Sequence, residues 1–188
     1  MVKYKLKSGL PLNNYKVEIN SIKITALPKR EIYSLAIKLG KNKKASNLIE
    51  NIYNCPMPTP GKTEISDKCS LKVLRLSPDQ LFIVFDSQHL HKIESNFPKL
   101  AEAFYITEQT DAWSGVKVSG KRVFECLERL CPINLSIETF KVHSFARTIM
   151  EHLNTLIIRS KRNEFELFTN SSSENSFLHA IETSAKNI

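Results

Sequence analysis

Between Leu74 and Phe85 the chain reads LRLSPDQLFIVF, two apolar runs parted by Ser77-Pro78-Asp79-Gln80. Proline sets φ for the second position of a turn, and Ser77 and Asp79 can hydrogen-bond nearby backbone, so the stretch predicts a β-hairpin. No nucleophile, metal cluster or phosphate loop stands beside it. The hairpin commits the chain to building sheet and leaves its chemistry open.

The flanking sequence extends that reading. From Ile19 to Leu39 two strand-like runs, INSIKITAL and EIYSLAIKLG, are broken at Pro28-Lys29-Arg30 and read as a hairpin of their own. KNKKASNLIENIYN then sets Ala45, Leu48, Ile49 and Ile52 at helical spacing, and Cys55-Pro56 ends that helix. CPMPTPGKTEISD is an extended, proline-rich surface loop. After the central hairpin, DSQHLHKIESNFPKL places Leu90, Ile93 and Phe97 on one helical face, with Asp86 or Ser87 as its cap, and 104–107 is a short strand. The order spells β-α-β-β-α-β, the ferredoxin-like order. A partial echo follows: strand 112–118, helix 121–130, a loop at Cys131-Pro132, strands near 145–150, 153–159 and 164–168, and a last helix from about Ser172. That helix opens with Ser171-x-x-Glu174, capping-box spacing, and carries Leu178, Ile181 and Ala185 on one side. The expected fold class is α+β with mostly antiparallel sheets. Two ferredoxin-like sheet-and-helix halves, about 19–109 and 110–188, share one core in a single domain spanning 1–188.

A chain of 188 residues, 41% of them hydrophobic, can bury such a core. Its net charge of +8 is spread over Lys3, Lys5 and Lys7, then Lys41, Lys43 and Lys44, then Arg159, Lys161 and Arg162. A nucleic-acid footprint needs clustering, so these read as solvated faces or as contacts with an acidic partner subunit. The sheet runs also lack the aromatic platform of an RNA-binding domain. MVKYKLKSGL has no apolar run of a signal peptide, and no stretch is long and apolar enough to span a membrane, so the chain is expected in the cytoplasm. Cys55, Cys69, Cys126 and Cys131 form no C-x-x-C and read as structural thiols.

Catalytic patterns are thin. GVKVSGKR (115–122) approaches a phosphate loop but has Arg122 where a magnesium-binding hydroxyl belongs, and Val116-Lys117-Val118 alternates as a strand does. It reads as a strand turning at Ser119-Gly120 into a helix with Val123, Phe124, Leu127 and Leu130 inward. His89 and His91 would stand about 200° apart on a helix, which is unsuited to joint metal ligation. Glu151-His152 lacks metalloprotease spacing, and Cys126 or Cys131 with His143 has no local nucleophile motif. The five glycines include no G-x-G-x-x-G. Trp113 and Lys117 share one face of a strand and are the interface candidates.

The hairpin LRLSPDQLFIVF, the stretch TDAWSGVKVSGKRVFECLERLCPINL and the following FKVHSFARTI together resemble the gamma subunit family of heterotetrameric sarcosine oxidase, over most of residues 20–185. The earlier LG and the proline-rich CPMPTPGK also fit. Departures are Leu81 in place of an aromatic, Asn134 in place of an aspartate, Ser144 in place of a glycine, and a tail without the family's arginine-serine pair. The resemblance implies a fold similar to the folate-binding part of the glycine-cleavage aminomethyltransferase. It implies participation in the oxidative demethylation of sarcosine to glycine, with the methyl group passed to tetrahydrofolate and oxygen reduced to peroxide. FAD, FMN, NAD, tetrahydrofolate and zinc would belong to the alpha, beta and delta partner subunits, and this chain would carry none of them and do the work of assembly. The alternative is a free-standing folate-binding module or aminomethyltransferase-like enzyme, for which Asp111 would hold the pterin.

Overall fold

The computed structural model describes residues 12, 14–67 and 70–188. β1 (Lys16–Ile19) and β2 (Ile22–Ala26) lead into β3 (Arg30–Ile37), α1 (Asn42–Tyr53) and a short β4 (Thr63–Ser66). The SPDQ turn joins β5 (Leu71–Ser77) to β6 (Gln80–Asp86), and α2 (Leu90–Glu94), α3 (Phe97–Leu100) and β7 (Phe104–Glu108) follow. β8 (Trp113–Ser119), α4 (Val123–Glu128), β9 (Phe145–Met150), β10 (Leu153–Lys161), β11 (Glu164–Asn170) and α5 (Glu174–Lys186) come last.

The strands form two antiparallel sheets. One runs β1-β2-β8-β11-β10-β9 and the other β4-β5-β6-β3-β7. The central hairpin forms as its turn chemistry requires, with the Ser77 hydroxyl 2.5 Å from Asp79 Oδ1. The 19–39 hairpin does not: β2 pairs with β1 and β8, whereas β3 pairs with β6 and β7 in the other sheet. Leu27, Pro28 and Lys29 carry the chain from one sheet to the other, because an extended Leu27-Pro28 step crosses the gap that a tight turn would have closed.

Three apolar layers explain the runs that alternate poorly. Leu81, Ile83 and Phe85 face α1, α2 and α3 with Leu48, Ile49 and Ile93. Phe82 and Val84, at the intervening positions, meet Leu156, Ile158 and Phe168 of the second sheet. Ile157, Phe165 and Leu167 turn the opposite way, onto Cys126, Leu127, Phe177 and Ile181 of α4 and α5. The order is helices, sheet, sheet, helices, and a strand buried on both faces reads as a continuous apolar run.

Other local expectations are corrected. DSQHLHKIESNFPKL is not one helix but a 3-10 turn followed by α2 and α3, although Leu90, Ile93 and Phe97 do pack inward together. Asp86 makes no side-chain cap and pairs with Arg30 instead. The capping box is absent as well. Residues 171–173 form a 3-10 turn, the Ser171 hydroxyl donates to Asp111 O (2.7 Å), and Glu174 accepts from the Ser114 hydroxyl (3.0 Å). The loop after Cys55 closes into β4, which adds an edge strand where an open loop was expected. Arg159 is no solvated residue but 3% exposed. The expected termini of the basic face, Lys3, Lys5 and Lys7, and also Cys69, lie outside the described residues. Among the described residues no helix is long and apolar enough to cross a membrane.

The two sheets are stitched by a matched pair of loops. Phe145 N donates to Gly61 O (3.0 Å) and Thr63 N to His143 O (3.1 Å), around a bridge between Lys62 and Ser144. Gly61 and His143 both take positive φ, 79° and 65°. Beyond them β5 is irregular between Arg75 and Ser77, and β10 between Arg159 and Lys161. The guanidinium of each arginine reaches back to the loop, Arg75 Nη1 to Pro58 O (3.4 Å) and Arg159 Nη1 to Phe140 O (2.5 Å).

Candidate functional site

β8 alternates strictly. Ser114, Val116 and Val118 are buried, and Trp113, Gly115 and Lys117 point the other way, as their spacing requires. Trp113 packs edge-on against Phe82 of the facing sheet, ring centroids 6.0 Å apart, and its buried indole N–H has no hydrogen-bond partner among the described residues. Gly115 leaves room for Phe168, because an added Cβ would sit 2.8 Å from that ring. Lys117, farther along the strand, lies 3.7 Å from Glu164. Trp113 is thus a packing residue between the sheets and Lys117 a surface ion-pair residue. Asp111 is exposed in the 3-10 turn 110–112, and what it offers to its neighbour is its carbonyl, bonded by Ser171.

The same inter-sheet layer holds an ion pair that sequence reasoning missed. Lys72 of β5 and Glu166 of β11 meet between the sheets, with side chains 20% and 15% exposed. Each stands alone in a strand pattern that looks amphipathic, and nothing local says that its outer face meets a second sheet.

A cavity of about 550 Å³ opens between the end of α4, α5 and the β9–β10 turn. Leu130, Leu153 and Ala180 supply apolar wall, and Arg129, Glu151 and His179 supply charge or polarity. The turn itself, Glu151-His152, has φ of 46° and 67°, a conformation that two-residue hairpins normally give to Asn-Gly. Neither Asp111, Trp113 nor Lys117 lines this cavity.

No assembled nucleophile appears among the described residues. Burial pushes the Cys126 and Cys131 thiols up from their ordinary range, and it pushes Cys55 up to about 11, with Glu64 adding to the effect. The Cys126 sulfur faces Ile181 O at 3.9 Å, and the Ser184 hydroxyl donates to the Cys126 carbonyl at 2.7 Å. A protonated, enclosed thiol is a poor nucleophile. His89 falls in the 3-10 turn before α2, and His91 lies on α2 itself. Among the described residues no three His, Cys, Asp or Glu side chains converge to hold a metal ion. Residues 115–119 of the GVKVSGKR stretch are paired in β8, which uses backbone amides that a phosphate loop would need free.

Comparison with solved structures places this architecture. The chain resembles a chain of the heterotetrameric sarcosine oxidase from Corynebacterium sp. U-96 solved with pyrrole 2-carboxylate, with a TM-score of 0.76 and 14% identity over 91% of this chain and 87% of that one. It also resembles the glycine cleavage system aminomethyltransferase T from Bartonella henselae, with a TM-score of 0.63 and 11% identity over 84% of this chain but 44% of that one. At these identities the likeness is one of fold, and it bears out the similarity to the aminomethyltransferase fold expected from the sequence. No protein-family model matches the sequence. No curated protein matches it either.

Proposed function

We propose that this chain is the gamma subunit of a heterotetrameric sarcosine oxidase and that it serves assembly, with the oxidative demethylation of sarcosine and the transfer to tetrahydrofolate carried by its partners. The observation that supports the reading is the match in extent: 91% of this chain overlays 87% of a sarcosine oxidase chain, so the likeness runs over most of both chains. The aminomethyltransferase is matched over less than half its length. Alpha, beta and delta subunits are the proposed partners, and FAD, FMN, NAD, tetrahydrofolate and zinc are assigned to them. Each sheet with its helices is read as a ferredoxin-like unit. The order β7-β3-β6-β5 with α1 and α2–α3 on one face supports this for residues 30–108.

The rival, a free-standing folate-binding enzyme, draws on the aminomethyltransferase likeness. It needs a carboxylate in a cavity, and Asp111 stands exposed in a turn and does not line the cavity described above. The test is coexpression of the partner subunits with and without this chain, followed by size exclusion and peroxide assay with sarcosine. Lower yield, stability or turnover without the chain is expected. Unchanged assembly and turnover would overturn the reading.

A further inference from the structure

β7 is the last strand of its sheet, with β3 on one side. Lys38 N donates to Ala103 O (2.9 Å) and Gln109 N to Ile32 O (2.8 Å), and Ala36 and Ser34 stand opposite Tyr105 and Thr107. In an antiparallel ladder these bonds alternate, so Tyr105 and Thr107 bond inward and the backbone N–H and C=O of Phe104, Ile106 and Glu108 point out from the edge. Edge strands are usually blunted by lysine, proline or a bulge. The sequence FYITE has none of these.

The side chains beside this edge repeat the invitation. Tyr105 is 66% exposed although it lies on the face that, farther in, is covered by the second sheet. Leu39 is fully exposed at the tip of a turn closed by Lys41 N to Lys38 O (3.0 Å), in which Gly40 supplies the positive φ of 72°. Around these two apolar groups stand Lys38, whose ammonium lies 5.1 Å from the centre of the Tyr105 ring, and Lys44, 2.6 Å from Glu102. Lys41 and Lys43 make no ion pair among the described residues. α1 begins here with no acidic residue in its first turn, so its positive end adds to the lysines.

We propose that the β7 edge, with Leu39 and Tyr105, is a docking site for an acidic, extended segment of a partner polypeptide, which adds to the sheet as a further strand. Main-chain bonds to Phe104, Ile106 and Glu108 hold the segment, its apolar side chains cover Leu39 and Tyr105, and its carboxylates meet Lys41, Lys43 and Lys44. From the assembly reading this takes only that the partner is a polypeptide.

The probe is a fluorescein-labelled peptide of alternating glutamate and valine, titrated into the full chain and followed by anisotropy and amide exchange. Binding that weakens with salt, with slowed exchange at Phe104, Ile106 and Glu108, is expected. Glu108→Pro removes an outward N–H, and a double Lys41→Glu, Lys44→Glu change reverses charge. Each should weaken binding by roughly tenfold or more. Should Glu108→Pro misfold, Leu39→Ser with Tyr105→Ser tests the same surface by its apolar part. Equal binding of the lysine-valine counterpart, tighter binding of a single-stranded oligonucleotide, or indifference to all these variants would overturn the proposal. So would self-association of the chain that Glu108→Pro abolishes. Because the peptide is synthetic, its failure leaves the coexpression result standing, and the converse holds.

Discussion

Arg159 shows how little a residue's type reveals of its place. Its guanidinium lies over the Phe165 ring at 4.7 Å and bonds Phe140 O, with its Nε left without a partner and no carboxylate in ion-pair reach among the described residues. Burial lowers its pKa, yet an arginine keeps its charge regardless. In sequence it sits among Lys161 and Arg162 and reads as surface; only the loop folded over it decides otherwise. The cysteines were legible, since Cys55, Cys126 and Cys131 are all buried and free, as small hydrophobes should be. Their titration and that of Tyr33 give a prediction. Burial, then the hydrogen bond to Glu94 (2.8 Å), raises the Tyr33 phenol, and burial raises the thiols, Cys55 from 9.0 to about 11. A group raised in the folded state keeps its stabilising effect below its unfolded pKa and loses it as pH climbs toward the folded one, because the unfolded chain sheds its proton first. Urea midpoints should therefore hold steady at neutral pH and fall as pH rises from about 9 toward 11 and beyond. Tyr33→Phe should flatten the part of that fall above about 10. A midpoint that rose with pH through this window would contradict the assignment.

Elements were legible where one residue's chemistry decides and obscure where two elements must meet. The SPDQ turn, α1 and α5 follow from proline, spacing and apolar stripes. The capping box at Ser171 and Glu174 failed because both side chains found tertiary partners, Asp111 O and the Ser114 hydroxyl, that a local rule does not see. Gly120 makes the point quantitatively. At φ 150° it ends β8, and a Cβ there would come within 2.3 Å of Ser21 O in the β1–β2 turn. Gly120→Ala should cost about 2–3 kcal/mol, since both backbone strain and a collision with backbone must be relieved. The loss should be read as a lower urea midpoint with faster amide exchange in β2. Exchange unchanged in β2 would show that the hairpin is not held at this contact.

At the scale of the molecule, the sequence announces sheets and helices but not which sheet a strand joins or what covers its second face. LFIVF is equally apolar at odd and even positions, and only the facing sheet explains Phe82 and Val84. The Lys72–Glu166 pair lies in that layer, and removing one partner would leave the other charge half-enclosed. Lys72→Met alone should lower stability by about 1–2 kcal/mol, the partial exposure holding the cost down, and Lys72→Met with Glu166→Leu should recover most of it. The four species of that double-mutant cycle, compared by urea denaturation, check it. A double variant no better than the single would place the pair at the surface instead. The crossing at Leu27–Lys29 bears on how the chain comes off the ribosome. β1 and β2 emerge before the other sheet, but the strand that β2 pairs with, β8, emerges only after the whole of that sheet has been made. The N-terminal hairpin must wait, its edge unfilled, while residues 30–108 collapse around α1. A closure joining Ile24 to Val118 across that finished sheet is long in contour and slow. Synthesis therefore completes residues 30–108 of the inserted sheet before β2 can be fastened to β8.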